Sequence, residues 1–304
     1  MSKSSAPTPF LKWAGGKRKL APLLIEAFPA TFDGQQHRFF EPFIGGGALT
    51  FALGDSSKDF YIPGKNLFIN DMNPELIIAY QVIRDDISNL IKELNNLTLH
   101  VNEKFYYEMR ASSPRSKVKR AARFIYLNKT CFNGLWRVNS KGEFNVPFGK
   151  SKNPTIFLEE NLRACSRRLK GSTITLGDFD YAVKTARKGD LVYFDPPYIP
   201  LTPSASFSQY AKENFGESDH ESLQKTIQSL TKKGVYVLLS NSDTPLTRQI
   251  FKDSLTLRRV LMARSISSIG NNRKPVYEVL GMNYPHKNKT SMGELEVISQ
   301  PKRG

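Results

Sequence analysis

Residues 191–198 read Leu-Val-Tyr-Phe-Asp-Pro-Pro-Tyr, an apolar run that stops at a carboxylate, bends through two prolines and ends on a tyrosine. The chemistry these residue types suit is methyl transfer to an exocyclic amine. The amino group of adenine is a poor nucleophile because its lone pair is delocalised into the ring, so a catalyst has to draw on its hydrogens. The carboxylate of Asp195 accepts one N–H bond, and the carbonyl of Pro196, whose own nitrogen carries no hydrogen, accepts the other. Two acceptors push the nitrogen toward sp3 geometry and free its lone pair. Tyr198 offers a flat ring on which a base removed from its stack can lie. A plain strand end with a proline turn reads the same way over four residues, so the surrounding elements have to decide.

Residues 38–43 predict a short apolar strand running into Ile44-Gly45-Gly46-Gly47 and then a helix over 48–53. Strand, glycine turn and helix in that order form the first half of a nucleotide-binding βαβ unit, in which glycines let the backbone come close to a ligand. A second strand, 67–70, ends at Asp71, 24 residues after Gly47, where an acid can hold ribose hydroxyls. A tight turn without a ligand would also explain the glycines. There is no GxxxxGK[ST] phosphate loop, so ATP is not the favoured nucleotide.

From Pro74 the apolar residues recur at three- and four-residue steps (Leu76, Ile77, Tyr80, Ile83, then Ile87, Leu90, Ile91, Leu94), which predicts helices. Further helices are expected over 105–110 and 117–126, followed by a loop-rich segment from Asn128 to Lys152. Strands resume over 172–176 and 191–194, and again over 235–240 after a helix around 223–230. Segments 255–261 and 275–283 are expected to close the sheet as an antiparallel pair. The stretch after Tyr284 is polar and aperiodic and reads as a mobile tail. Strands alternating with helices predict an α/β fold with a doubly wound, mostly parallel sheet, whose ligands bind at the carboxyl ends of its strands. Gly45, Asp71, Asp178 and Asp195 all fall at such ends.

The balance of charge points to a polyanion. The 304 residues carry 44 Lys+Arg against 28 Asp+Glu, a formal charge of +16. Between Lys104 and Lys170 there are 16 basic and 4 acidic residues, a local balance of +12. A solvated helix face mixes its signs; a nucleic-acid face does not. No run of about 18 apolar residues and no signal-peptide pattern is visible, so a membrane partner is not expected. Cys131 and Cys165 lack CxxC spacing and read as reduced thiols of a cytoplasmic protein. His37, His100, His220 and His286 are scattered without metal-ligand spacing, and no metal is expected.

These motifs together resemble the Dam-type DNA adenine-N6 methyltransferases, the D12 class, in the alpha-group order. The matching segments are 9–17 (PFLKWAGGK), 41–47 (EPFIGGG), 128–149 (NKTCFNGLWRVNSKGEFNVPFG) and 195–198 (DPPY), with Arg264-Ser265-Ile266-Ser267 similar to a late motif. The resemblance implies a Rossmann-like methyltransferase domain over 1–73 and 161–284. It also implies a helical target-recognition domain over 74–160 with its hairpin at 128–149, leaving 285–304 as the flexible tail. The implied cofactor is S-adenosylmethionine. Trp13 and Lys17 would hold its methionine end, Asp71 its ribose, and Asp178 with Phe179 its adenine, against a backbone and side-chain wall of Phe43, Gly45 and Gly47. Asp195 would lie near both the methionine amino group and the target amine.

The implied partner is double-stranded DNA, read at GATC. Arg137 would bond O6 and N7 of guanine, a bidentate contact worth ~1–3 kcal/mol of discrimination. Phe132 would wedge into the gap left by the extruded adenine and Asn133 would bond its orphaned partner. Leu135 and Pro147 would meet a thymine methyl, Asn139 joins the DNA-facing set, and Lys12, Lys129, Lys141 and Lys150 would contact phosphates. A C5-cytosine enzyme is not expected, because it needs a nucleophilic Cys after a proline and neither Cys stands there. An N4-cytosine enzyme usually has Ser at the Asp195 position, and an RNA or protein-glutamine methyltransferase usually has Asn. Other adenine-containing sites, and a DNA-binding protein with an inactive cofactor pocket, stay as alternatives.

Overall fold

The computed structural model describes residues 6–54, 61–151, 153–199, 215–262, 276–287, 289–290 and 293–301. The late motif at 264–267 lies outside these residues, as does Pro275, the first residue of an expected strand. Packing divides the chain into two compact units, Met1–Pro22 with Ile44–Asp178 and Leu23–Phe43 with Phe179–Gly304.

From the N-terminus, α1 (Ala21–Glu26), β1 (Phe39–Glu41) and α2 (Ala48–Ala52) lead to β2 (Leu67–Asp71). Helices α3 (Pro74–Asp85), α4 (Ile87–Thr98), α5 (Glu103–Ala111) and α6 (Lys117–Thr130) follow, then α7 (Glu159–Leu169), β3 (Thr173–Leu176), α8 (Phe179–Ala182) and β4 (Leu191–Phe194). The chain continues through α9 (Glu217–Lys232), β5 (Tyr236–Ser242), α10 (Pro245–Phe251), β6 (Thr256–Met262) and β7 (Val276–Met282). It ends in β8 (Lys289–Thr290), β9 (Gly293–Glu294) and β10 (Glu296–Ser299).

In the first unit β2 and β3 pair in parallel, with Asp71 opposite Leu176. Helix α3 starts where Asn73 accepts the N–H groups of Glu75 and Leu76 at 3.0 and 3.2 Å, with Pro74 at its first position. Its apolar stripe buries Leu76, Ile77, Tyr80 and Ile83. The same helix packs on β3, α6 and α7, and Arg84 donates to the carbonyl of Ser172 at 2.7 Å. Helix α3 thus shares one compact unit with β3, α6 and α7.

In the second unit the strands run β10-β6-β7-β5-β4-β1. β1, β4 and β5 are parallel neighbours, while β7, β6 and β10 complete the set in antiparallel pairs. All four residues of β4 are buried, as a strand covered on both faces requires. Arg38 anchors β1 beside β4: its Nε and Nη2 both donate to Oδ2 of the buried Asp190, at 3.0 and 2.6 Å, and its backbone N–H donates to Oδ1 at 2.9 Å. The parallel pairing of β1, β4 and β5 and of β2 and β3, interleaved with helices, is the α/β architecture expected from the alternation of patterns.

Two expectations are corrected. The loop foreseen from Asn128 begins later, because α6 continues to Thr130. The Thr130 hydroxyl donates to the Tyr126 carbonyl at 2.7 Å, and Asn128 turns its amide inward instead of breaking the helix. The reading of 285–304 as a flexible tail does not hold for Glu296–Ser299, which pairs with β6 at the sheet edge and is held by Arg259 to Glu296 at 2.6 Å. Half-buried Val297 and Ile298 form no apolar periodicity across four residues, so the pattern escapes a sequence reading. No helix among the described residues is long and apolar enough to cross a membrane.

Candidate active site and target-reading segment

In the first unit the glycine turn is held from several sides. Gly45 has φ 46°, and a Cβ there would stand 2.9 Å from the Trp13 ring. Gly47 has φ 70° and caps α2, and a Cβ there would meet the Tyr80 hydroxyl at 2.5 Å. Tyr80, fully buried on α3, donates to the Gly45 carbonyl at 2.9 Å. Asp71 accepts the Gly45 N–H at 3.1 Å on one oxygen and the Asn73 N–H at 2.9 Å on the other. Burial pushes the Asp71 carboxyl above its ordinary value, against the N–H bonds from Asn73, Gly45 and Met72 that lower it. A carboxylate has about four acceptor positions, so these backbone bonds leave capacity for ribose hydroxyls. Lys17 is 7% exposed and its Nζ donates to the Gly15 carbonyl at 2.8 Å. Asp178 stands exposed after β3.

The same unit carries the segment 128–149, which doubles back on itself through bridges between Cys131 and Phe148 and between Val138 and Phe144. Buried Asn128 joins it to the nonapeptide 9–17: its oxygen accepts the Lys12 N–H at 2.9 Å, and its nitrogen donates to the carbonyls of Lys12 and Gly134 at 2.8 and 3.0 Å. An aromatic row, Trp13 to Phe124, Phe124 to Trp136 and Trp136 to Phe144, runs alongside with centroids 6.2, 4.4 and 4.5 Å apart. Phe132 is 50% exposed, next to Asn133 in the left-handed conformation at φ 54°. Arg137 is half-buried and its Nε donates to Asn145 at 2.7 Å, while Leu135 is half-buried and Pro147 exposed. Asn139 does something other than reach outward. Its side-chain oxygen accepts the N–H groups of Lys141 and Glu143, each at 3.0 Å, and its nitrogen donates to Glu143 at 2.9 Å, which builds the hairpin tip.

Lys12, Lys141 and Lys150 are exposed. Lys129 is not: it lines a cavity of about 390 Å³ with Lys12, Ser151, Asn153 and Asn161. Burial, with the like charge of Lys12 second, pushes its ammonium down to about 8. Burial pushes the Cys131 thiol up to about 11 and that of Cys165 to about 12, so neither is a thiolate nucleophile near neutral pH.

In the second unit Asp195 follows the last residue of β4, and its Oδ1 accepts from the Ser240 hydroxyl at 2.7 Å. Tyr198 donates to Glu278 on β7 at 2.8 Å, and the Ile199 N–H is accepted by Asn241 at 3.2 Å. Phe43 stacks on Phe179 with centroids 5.6 Å apart, and Phe215 closes edge-on to both at 5.6 and 5.9 Å. That cluster is an apolar wall of the size of a purine ring.

A family model described as D12 class N6 adenine-specific DNA methyltransferase matches residues 13–266. The chain belongs to this family. It is 40% identical over 290 residues to the type II methyltransferase M.MjaIII of Methanocaldococcus jannaschii, covering 91% of this chain and 99% of that one. It is 40% identical over 284 residues to the type II methyltransferase M1.LlaDCHI of Lactococcus lactis subsp. cremoris, covering 91% and 95%. The DNA adenine methylase of Haemophilus influenzae is 33% identical over 280 residues, covering 90% and 93%. This member of the D12 class is therefore an adenine-specific DNA methyltransferase, and enzymes of this fold and chemistry take their methyl group from S-adenosylmethionine. Within the first unit, the turn at Gly45–Gly47 and the partly committed carboxylate of Asp71 have the chemistry to suit the ribose of such a cofactor.

Residue-by-residue reading of the sequence missed Tyr80, Asn128, Ser240 and Glu278. Tyr80 was visible only as one position in an apolar helix stripe. Ser240 and Glu278 lie on strands whose partners follow from pairing register, which no local pattern encodes.

Proposed function

We propose that this D12 enzyme transfers the methyl group of S-adenosylmethionine to N6 of an adenine flipped out of double-stranded DNA, within GATC. The observation that carries the reading is the Asp195–Tyr198 segment at the end of buried β4, with its carboxylate and its phenol each held by a hydrogen bond from or to a neighbouring strand. Asp195 and the Pro196 carbonyl would accept the two N6 hydrogens and Tyr198 would stack on the base; the N6–methyl bond would form in line as the methyl–sulfur bond breaks, leaving the neutral thioether, and the surplus N6 proton would pass to water. The cofactor supplies a sulfonium-bound methyl group. Trp13 and Lys17 hold its methionine end, Asp71 its ribose, and Asp178 and Phe179 its adenine, with Phe43, Gly45 and Gly47 lining the approach. Positioning and the acceptor pair carry the catalysis, without a covalent enzyme intermediate.

Residues 74–160 serve target recognition in this reading. The exposure of Phe132 and Asn133 supports a wedge and a contact to the orphaned base, and Arg137, held by Asn145, reads a guanine beside the apolar Leu135 and Pro147. Lys12, Lys129, Lys141 and Lys150 neutralise phosphates, and Asn139 shapes the hairpin tip that presents them. With two buried thiols and a net charge of +16, the enzyme works in the cytoplasm, where DNA is its polyanion.

The second target reading is the same chemistry at another adenine-containing site: the relatives at 40% identity are type II methyltransferases and the one at 33% is an adenine methylase, and identity alone assigns no recognition site. Transfer of labelled methyl groups to duplexes with and without GATC, followed by nucleoside mass spectrometry, separates the two. N6-methyladenine confined to GATC duplexes supports the first reading, N6-methyladenine elsewhere supports the second, and no methylated base despite DNA binding overturns both.

A further inference from the structure

The strand that follows the Asp195 segment in the second unit contributes a hydroxyl at a position the acceptor role does not by itself require. β4 and β5 are parallel neighbours with Tyr193 opposite Leu238 and Phe194 opposite Leu239, which brings Ser240 beside Asp195. Ser240 is fully buried, flanked in sequence by buried Val237, Leu238 and Leu239. Its hydroxyl lies 2.7 Å from Asp195 Oδ1 and 2.8 Å from the hydroxyl of Tyr193, itself 1% exposed. Tyr193 on β4 and Asp195 just past its end are two residues apart, a spacing that puts both side chains on one side of an extended chain.

The direction of these bonds follows from counting hydrogens. An ionised carboxylate only accepts, so Ser240 spends its one hydrogen on Asp195. Tyr193 then donates to Ser240, which also has a side-chain hydrogen bond with Tyr198. Burial, with the charge of Asp195 second, raises the Tyr193 phenol well above its ordinary value, so it stays a donor throughout the working range. The result is a network centred on Ser240, in which Tyr193 donates to Ser240, Ser240 donates to Asp195, and each bond limits the orientation of the next group.

We propose that Ser240, oriented by Tyr193, is a positioning residue that fixes the plane of the Asp195 carboxylate for the target amine. The inference rests on Asp195 being the acceptor in the reading above. The chain of bonds limits rotation of the carboxylate about its last torsion, which is otherwise broad and soft. An acceptor tilted away from the N–H direction loses much of its pull on the amine, since hydrogen bonds weaken steeply with angle. Burying two hydroxyls beneath a strand end is costly unless both are bonded, and here both are.

The test measures single-turnover methyl transfer, the KM for duplex DNA and S-adenosylmethionine binding in Ser240→Ala, Ser240→Thr, Tyr193→Phe, the Ser240→Ala/Tyr193→Phe double variant and Asp195→Ala. Misplacement of a catalytic group by about 1 Å can slow a reaction by about 100-fold. Ser240→Ala should lower the transfer rate ~10- to 100-fold while KM and cofactor binding change less than ~3-fold. Ser240→Thr, which keeps the hydroxyl, should recover most of that rate. Tyr193→Phe should cost less than Ser240→Ala, and the double variant should be no slower than Ser240→Ala, because residues in one chain are not additive. An unchanged rate in folded Ser240→Ala, a loss confined to KM, or fully additive effects overturns the inference. If Ser240→Ala does not fold, Tyr193→Phe decides: a transfer rate equal to wild type overturns it. Active Asp195→Ala would instead remove the underlying assignment, whereas inactive Asp195→Ala beside unimpaired Ser240→Ala removes the inference alone.

Discussion

Tyr80 on α3 donates its phenolic hydrogen to the carbonyl of Gly45 at 2.9 Å, and so ties a core helix directly to the glycine turn. The tyrosine is fully buried and its ring lies 6.3 Å from Phe51 and 5.1 Å from Phe10. Tyr80→Phe keeps this packing and removes the bond, leaving a carbonyl without that donor at a cost of ~1–3 kcal/mol. The expected outcome is a lower midpoint in chemical denaturation together with weaker S-adenosylmethionine binding by calorimetry. A destabilised variant that binds the cofactor as tightly as wild type would separate the bond from the site.

Asp71 links that turn to the start of α3, accepting from both Gly45 and Asn73. Asp71→Asn keeps one oxygen acceptor and puts an N–H group where a second oxygen was, so it can satisfy one backbone donor and opposes the other. Cofactor affinity should fall at least 10-fold, since a hydrogen bond involving a charged group contributes ~1.5–3 kcal/mol. Equilibrium dialysis with labelled S-adenosylmethionine measures it.

Lys129 should make DNA affinity depend on pH. With its ammonium held down to about 8 by burial and by Lys12, it is mostly charged at pH 7 and mostly neutral at pH 9. Affinity for a duplex should therefore fall as pH rises through this range, with the log–log salt slope shrinking by about 0.9 for one lost phosphate contact. Lys129→Arg should flatten the pH profile, and Lys12→Ala should move the fall to higher pH. Fluorescence anisotropy at several salt concentrations reads all three.

His220 is 2% exposed and its Nδ1 lies 2.8 Å from the Gly216 carbonyl. Burial lowers it below its ordinary 6.5, outweighing the Gly216 bond that raises it. The unfolded chain then takes up a proton more readily than the folded one, so stability is full above about 6.5 and declines as pH falls below it. Urea midpoints between pH 8 and pH 5 should drop less in His220→Asn than in wild type.

Arg137 is expected to carry base discrimination rather than bulk affinity. Arg137→Ala should cost ~1–3 kcal/mol at one base pair and relax the preference there, with little change in the salt slope. Asn145→Ala, which releases the Arg137 Nε bond, should produce a weaker version of the same effect. Methylation rates across duplexes with single-base changes map it.

Much of this protein is written in local sequence. Strict burial of 191–194 ending in Asp-Pro-Pro-Tyr, glycines beside a strand end, and three- and four-residue apolar steps after Pro74 each depend on neighbours within one element, so fold class and most strand positions were legible. The candidate residues Gly45, Asp71 and Asp195 followed because sheet ligands gather at strand ends. Only tertiary structure decided what holds those residues. Tyr80, Asn128, Ser240 and Glu278 act across 35, 116, 45 and 80 positions of chain, through register and helix packing that no local pattern states. The same is true of β10, whose four residues become a strand because β6 offers them an edge to pair with, and of Lys129, whose acidity is set by the walls around it rather than by its own side chain.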